Sequence, residues 1–305
     1  MALVDHIAIE NFRCVAHAAF DVAPFTVFVG ANGSGKSSLL AAFDARKIGD
    51  QANAEDPSSP TIVGWKGDEG ASVARRLPGG GQKFAARGPD VITLQLTLSS
   101  LRAENRTSSE LRLASSGGNL PNVLASLGRN GLTRLAGDFC RLVPIFRDVD
   151  VRPSPIVGHH RVLFQDRWNE DRWYTQSEVS DGSLIMLALL AAFAQPKPPD
   201  ILAIDEIERG LHPYLLQQVV ALCRELAAGK LGRPVQVLAA THSPHLLDFL
   251  EPHEVRFVTR DRDTGNTVVT APPTEAPEWA RAPEAYRDSL GDLWLSGALG
   301  GAVGR

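Results

Sequence analysis

Apolar and polar residues alternate through HIAIENF at 6–12, which predicts a strand with one buried face. PFTVFVG at 24–30 is apolar without alternation, the pattern of a strand buried on both faces, and SLLAAFDA at 38–45 predicts a helix after it. Alternation returns in VITLQLTLS at 91–99, again a strand. Residues 102–150 mix helix-like runs, such as NVLASLGRNGLTRLAGDFCRL at 122–142, with turns. RVLFQ and RWYTQ, separated by the polar DRWNED, predict a hairpin. Residues 180–194 predict a Leu- and Ala-rich helix capped by Ser180 or Asp181. DILAIDE at 200–206 and VQVLAATHS at 235–243 predict buried strands. Between them LHPYLLQQVVALCRELAAG at 211–229 predicts an amphipathic helix closed by Gly229. VRFVTR and TVVT, on either side of a turn at 263–266, predict a last hairpin before a polar, Pro-rich tail that ends in LGDLWLSGALGG. Residues 46–89 break the pattern with Gly, Pro, Ser and scattered charge, including PGGGQK at 78–83, and predict long loops or a mobile insertion. There is no internal repeat and no heptad tract long enough for a coiled coil. Strands interleaved with helices place the chain in the α/β class.

Between the buried strand and the helix lies GANGSGKS at 30–37, which fits G-x-x-x-x-G-K-[ST]. Strand, loop, helix is the setting this pattern needs to grip a nucleotide's phosphates. Glycines let the backbone curl so that successive N–H groups converge on the phosphate tail. Lys36 offers a point charge to the β- and γ-phosphates, and the Ser37 hydroxyl is a Mg²⁺ ligand. The nucleotide-binding set read from the loop is Gly30, Asn32, Gly33, Ser34, Gly35, Lys36, Ser37 and Ser38.

Bulk composition narrows the field only a little. The 305 residues are 44% hydrophobic and 22% charged, enough for a sizeable core and against wholesale disorder. A net charge of −4 leaves no global basic footprint, so any nucleic-acid binding has to come from a local patch. The arginines between 129 and 172 interleave with Asp138, Asp148, Asp150, Asp166, Glu170 and Asp171, which reads as a solvated mixed face. Cys14, Cys140 and Cys223 are far apart and match no ligand spacing, as for reduced thiols in a cytosolic protein. MALVDHIAIENF lacks the regions of a signal peptide, and the longest apolar run, 184–194, is too short to cross a bilayer. A cytoplasmic chain without a membrane partner is expected.

Two further motifs carry chemistry. A buried strand ending in Asp205-Glu206 presents two carboxylates to the phosphate loop. Asp205 is the metal-side carboxylate, and Glu206 is placed to orient or deprotonate the attacking water. VSDGS at 179–183 opens the Leu/Ala helix, and a helix N-terminus with a serine and a glycine suits an anion.

The order of these motifs resembles the ABC-class ATPases. P-loop, S-x-G at a helix start, strand ending in Asp-Glu, ERGLHP and ATHSPHLL follow one another, most like the RecF/SMC/OLD-type branch of bacterial AAA-family ATPases. IAIENFR, GGNLPNVLASL, EVSDGSLIMLALLAAF and the closing GDLWLSGALGG extend the resemblance over nearly the whole chain. It implies a P-loop NTPase with an ABC-type core, a mixed sheet flanked by helices, and an inserted helical or irregular lobe. Residues 1–45 and 195–305 would form the nucleotide-binding lobe and 46–194 the insertion, ending in the signature helix. It implies that Ser180 and Gly182 contact the γ-phosphate held by an opposite subunit, that the 208–213 segment lies across a dimer interface, that His242 is the switch histidine, and that Arg13 reaches the nucleotide. The catalytic set is then Glu206, His242 and Lys36, with Ser37 and Asp205 on Mg²⁺ and ATP as the nucleotide.

Departures qualify the match. Asp181 stands where transporters carry glycine and no glutamine follows Gly182, against a membrane-transporter motor; Ile207 replaces a proline common after the Asp-Glu pair. Gln51 and Gln95 are the candidates for the glutamine that joins the two lobes. His242 and His245 have no further ligand character nearby and make no metal pair. The stretch after His242 leaves no room for an OLD-type nuclease domain, and Asp261-Arg-Asp263 reads as a hairpin turn. The resemblance implies an ATP-dependent head-to-tail homodimer that hydrolyses ATP and acts on a separately encoded effector, a nuclease or toxin, or on DNA, in phage defence, a toxin–antitoxin pair or DNA repair. The alternative is a slow-turnover ATP-gated module that restrains such an effector.

Overall fold

The computed structural model describes residues 4–48, 59–67, 70–76, 82–84, 88–272, 291 and 294. Strands β1 (His6–Phe12), β2 (Val15–Asp21) and β3 (Phe25–Val29) lead into helices α1 (Lys36–Ala42) and α2 (Ala45–Ile48). Next come β4 (Thr61–Gly67), β5 (Gly70–Arg76), β6 (Gln82–Phe84) and β7 (Val91–Leu94), then α3 (Leu98–Leu101) and β8 (Asn105–Arg106). Helices α4 (Leu120–Ser126) and α5 (Gly128–Leu142) precede β9 (Phe146–Pro153), β10 (His159–Asp166) and β11 (Trp173–Thr175). The rest of the order is α6 (Asp181–Ala194), β12 (Ile201–Ile204), α7 (Pro213–Ala227), β13 (Gln236–Thr241), α8 (Pro244–Leu247), β14 (Val255–Arg260) and β15 (Thr267–Thr270). They form two compact units, one of Met1–Thr93, Asp200–Glu208 and Val220–Arg305, the other of Leu94–Pro199 and Arg209–Val219.

In the first unit the described residues form a six-stranded sheet in the order β15-β14-β3-β13-β12-β7. Strands β12, β13, β3 and β14 are mutually parallel and β15 returns antiparallel, so the sheet is mixed. Parallel neighbours cannot be joined by a tight turn, and α7 supplies the crossover from β12 to β13. Strands β3, β12 and β13 are buried at every residue, which explains their unbroken apolar runs. A second, antiparallel sheet has the order β2-β1-β4-β5-β6. Its Ile7, Ile9 and Val63 join Phe28, Leu39, Leu40 and Leu238 in one core, where Phe20 meets Phe28 edge-on with ring centroids 5.8 Å apart.

Strands β4, β5 and β6 correct the loop expectation for 46–89. TIVGWKG alternates buried and half-buried positions, and pairing with β1 through Ile9↔Val63 outweighs the glycine and charge that colour the segment. VITLQLTLS also differs: the strand stops at Leu94 and α3 begins at Leu98. There the amides of Gln95 and Thr97 turn to the carbonyls of Ser115 and Ser116. Gln51, much of PGGGQK and, apart from Gly291 and Trp294, the closing LGDLWLSGALGG lie outside the described residues.

In the second unit β8, β9 and β11 all pair with β10. The expected hairpin is β10–β11, registered Phe164↔Tyr174. Helix α5 packs Leu135, Ala136 and Phe139 inward, and Phe139, Phe146 and Phe164 meet with centroids 5.2–5.9 Å apart. Helix α6 is buried along nearly its whole length, and its N-cap is Ser180, whose Oγ accepts from the Ser183 amide at 3.3 Å. Arg102 holds the approach to α6, donating to Asp181 Oδ1 at 2.5 Å, Val179 O at 3.1 Å and Ser177 O at 2.8 Å. Two arginines of this region have acidic partners, Arg147 with Glu170 and Arg152 with Asp150. Among the described residues no helix is long and apolar enough to cross a membrane.

Candidate functional site

Loops leaving the carboxyl ends of parallel β3, β12 and β13 converge, because parallel neighbours end on one side of a sheet. There a cavity of about 390 Å³ is lined by Cys14, Asn32, Gly33, Gly35, Lys36, Ser37, Ser38, Asp205, Glu206, His242 and Arg260. Residues from three separate stretches of chain, predicted separately, meet in one place. Gly30 and Ser34 do not line the cavity. Gly30 anchors the loop through its amide to Thr241 O at 3.3 Å, and Ser34 is buried behind it.

Lys36 is 8% exposed, and its Nζ donates to the carbonyls of Gly30 and Ala31 at 2.7 Å each. Burial lowers its pKa, while Asp205, Glu208 and Glu206 pull the other way. Glu206 has φ 54, in the left-handed region that a side chain rarely adopts. The next residue pins this turn: the Ile207 amide donates to Ala240 O at 3.1 Å. Strain of this kind, at the end of a buried strand and in a cavity wall, marks functional sites. His242 leaves β13 with its own amide donating to Glu208 Oε1 at 3.0 Å.

Carbonyls of the loop are held by residues that no motif pointed to. Thr267 Oγ1 donates to Ser34 O at 3.0 Å, and Arg260 donates to Gly33 O at 2.9 Å and Gly265 O at 2.6 Å. Gly35 sits at φ 110, and a Cβ there would lie 2.3 Å from Thr267 Oγ1, so the glycine is required twice over. Cys14 comes from the β1–β2 turn and donates to Ser38 Oγ at 3.2 Å. Its neighbour Arg13 is outside the cavity lining and lies over the Phe12 ring at 5.4 Å.

Ser180 and Gly182 belong to the second unit. Ser180 is exposed, whereas Gly182 is buried, where a Cβ would come within 2.5 Å of Leu215 Cδ1. That close approach is a packing reason for the glycine. Gln95 is exposed and does not line the cavity. Asp261 turns the β14–β15 hairpin as expected, accepting from the Thr264 amide and hydroxyl at 2.8 and 2.7 Å.

The donors present fit a nucleotide with a hard cation: a backbone cradle, a lysine, and the Ser37 and Asp205 oxygens on one cavity. Among the described residues no group of three or more His, Cys, Asp or Glu could hold a metal. Mg²⁺ needs no such group, since it takes most of its ligands from phosphate and water.

The family model described as "AAA domain, putative AbiEii toxin, Type IV TA system" matches residues 89–248, more than half of the chain. The chain belongs to this AAA family. A second model, "AAA ATPase domain", matches residues 3–51 of the same AAA chain, over the phosphate loop. No curated protein matches the sequence. The SMC head domain from Thermotoga maritima is similar with a TM-score of 0.55 and 14% identity, over 88% of this chain and 98% of that one. The SMC head bound to the C-winged helix domain of ScpA gives 0.61 and 16%, over 91% and 99%. An SMC head with an extended coiled coil, bound to the C-terminal domain of ScpA derived from Pyrococcus furiosus, gives 0.59 and 13%, over 94% and 100%. At such identities the likeness establishes the fold alone. The AAA chain therefore has the P-loop NTPase fold of these SMC heads, a mixed sheet flanked by helices, in agreement with the fold that the motif order implied.

Proposed function

We propose that this chain binds ATP with Mg²⁺ and hydrolyses it to ADP and phosphate as a head-to-tail dimer, to drive or gate a partner effector. The observation that carries the reading is the meeting of Lys36, Ser37, Asp205, Glu206 and His242 on one cavity. Lys36 would leave the Gly30 and Ala31 carbonyls for phosphate oxygens. Mg²⁺ held by Ser37 and Asp205 would neutralise charge on the phosphates when bound. Glu206, turned by its left-handed backbone toward the cavity, would take a proton from the attacking water, and His242 would orient that water at the phosphate. Ser180 and Gly182, which are not among the residues lining this chain's cavity, would complete the site of a second copy. The family's description as a toxin–antitoxin type supports an effector partner, and the ScpA-bound SMC heads support a protein as that partner.

Multiple-turnover phosphate release by the wild type, against Glu206→Gln, tests the reading. Glu206→Gln should bind ATP yet turn it over at roughly a hundredth of the normal rate or less, as expected when a general base is removed. Hydrolysis at near-normal rate would place the base elsewhere. A wild type that binds ATP without sustained release would leave only the gating role.

A further inference from the structure

We propose that Glu208 is a positioning residue that sets the tautomer and orientation of His242; the assignment rests on the ATPase reading above. Glu208 is two residues beyond the left-handed turn at Glu206, and the Ile207 amide bond to β13 brings it alongside the end of that strand. Its side chain is 12% exposed. One oxygen, Oε1, accepts from the His242 backbone amide at 3.0 Å and lies in ion-pair contact with the His242 ring Nδ1 at 3.1 Å. A lone pair on Nδ1 would repel the carboxylate at that distance, which favours the ring proton on Nδ1 and leaves the Nε2 lone pair for the cavity that His242 lines. The amide bond alone would serve as a structural cap. The ring contact adds a chemical function, since the same carboxylate oxygen faces both the backbone and the imidazole of the residue. The other oxygen, Oε2, is buried with no hydrogen-bond partner among the described residues. The Glu208 charge also acts on Lys36, one of three carboxylates that raise its pKa.

The test uses the full chain with Glu208→Ala, Glu208→Gln, His242→Ala and the Glu208→Ala/His242→Ala double variant. Long-range ¹⁵N–¹H spectra at about pH 9, where imidazoles are neutral, report the His242 tautomer, assigned by its loss in His242→Ala. The wild type should show the Nδ1–H form, and Glu208→Ala should lose it. In steady-state phosphate release Glu208→Ala should lower kcat about tenfold or more while the KM for ATP moves less than about twofold. Glu208→Gln, whose carbonyl can take the place of Oε1 toward the amide and the ring, should recover most of that loss. The double variant should be no slower than His242→Ala, because a residue acting through His242 has nothing left to act on. An Nε2–H tautomer in the wild type, or multiplicative losses in the double variant, would overturn the assignment. If Glu208→Ala fails to fold, the wild-type tautomer and the Glu208→Gln kinetics still decide. A wild type that releases no more phosphate than Lys36→Ala would sink the ATPase reading instead, and the His242 tautomer would still decide whether Glu208 orients the ring.

Discussion

Burial separates the three cysteines into very different thiols. Cys223 is enclosed in the first unit's core and its pKa is pushed up to about 12; Cys140, half-buried, is pushed up to about 11. Both shifts favour the protonated form, so at pH 8 on the order of one Cys140 in a thousand is thiolate, and fewer of Cys223. Cys14 instead lines the candidate nucleotide cavity, bonded to Ser38 of the phosphate loop. A maleimide at pH 8 should therefore label Cys14 first, and ATP with Mg²⁺ should slow that labelling several-fold by occupying the cavity. Lys36→Ala should abolish the protection, because the charge that meets the β- and γ-phosphates is gone. Mass spectrometry of tryptic peptides would locate the label, and equal rates with and without ATP would count against the site. The loop was legible from the sequence because its chemistry is local, eight consecutive residues whose glycines and lysine act together. The left-handed Glu206 was not, since nothing in DILAIDEI encodes a backbone angle that tertiary contacts impose.

At the scale of elements, the β14–β15 hairpin clamps the phosphate loop through the carbonyls of Gly33 and Ser34. Peptide C=O and N–H groups point in opposite directions, so holding those carbonyls aims the following amides the other way. Thr267→Val removes the bond to Ser34 O with little change of volume, and Arg260→Ala removes the bonds to Gly33 O and Gly265 O. Each should weaken ATP binding about three- to tenfold by titration calorimetry, since one hydrogen bond is worth about 1 kcal/mol. Unchanged affinity in both would mean the loop holds its own shape. The hairpin also carries a pH dependence. The Thr264 hydroxyl and amide, then the Asp263 amide, lower the Asp261 pKa. A depressed carboxylate stabilises the fold above the ordinary Asp pKa, and that contribution is lost as pH falls through the lower folded value. Hydrogen exchange of the Thr264 and Asn266 amides should accelerate, relative to other hairpin amides, below about pH 4, and Asp261→Asn should remove that acid limb. The hairpin itself was predictable from VRFVTR and TVVT. Its clamp was not, because Arg260 and Gly33 are 227 residues apart.

For the whole molecule, the proposed dimer makes a prediction that no single chain can imitate. Every residue lining the cavity belongs to the first unit, while exposed Ser180 belongs to the second. If ATP is shared between one chain's phosphate loop and another's Ser180, Lys36→Ala and Ser180→Arg should each be inactive alone. Mixed in equal amounts and allowed to exchange, they place both lesions in one site of each mixed dimer and leave the other site intact. About half the dimers are then mixed with one working site apiece, so roughly a quarter of wild-type phosphate release should return. Light scattering with and without ATP would check that dimers form. No recovery, together with a wild type that hydrolyses ATP as a monomer, would exclude the shared site.

Patterning and short motifs were enough to determine the α/β class, the buried strands β3, β12 and β13 and the two hairpins, and they picked out the 30–37 loop, Asp205, Glu206 and His242, which the fold brings to one cavity. Those features rest on contiguous residues, where the period of burial and the spacing of functional groups are written directly into the chain. Three things were decided only in three dimensions. Strands β4 to β6 formed where composition read as loop, because β1 offered a paired edge. Cys14, Arg260 and Thr267 became walls and braces of the cavity through contacts that close long loops of chain. Glu208, read from sequence only as part of an interface segment, came to hold His242 because a strained turn folds it back along β13. In each case the deciding interaction is between residues distant in sequence, and its partner is chosen by packing.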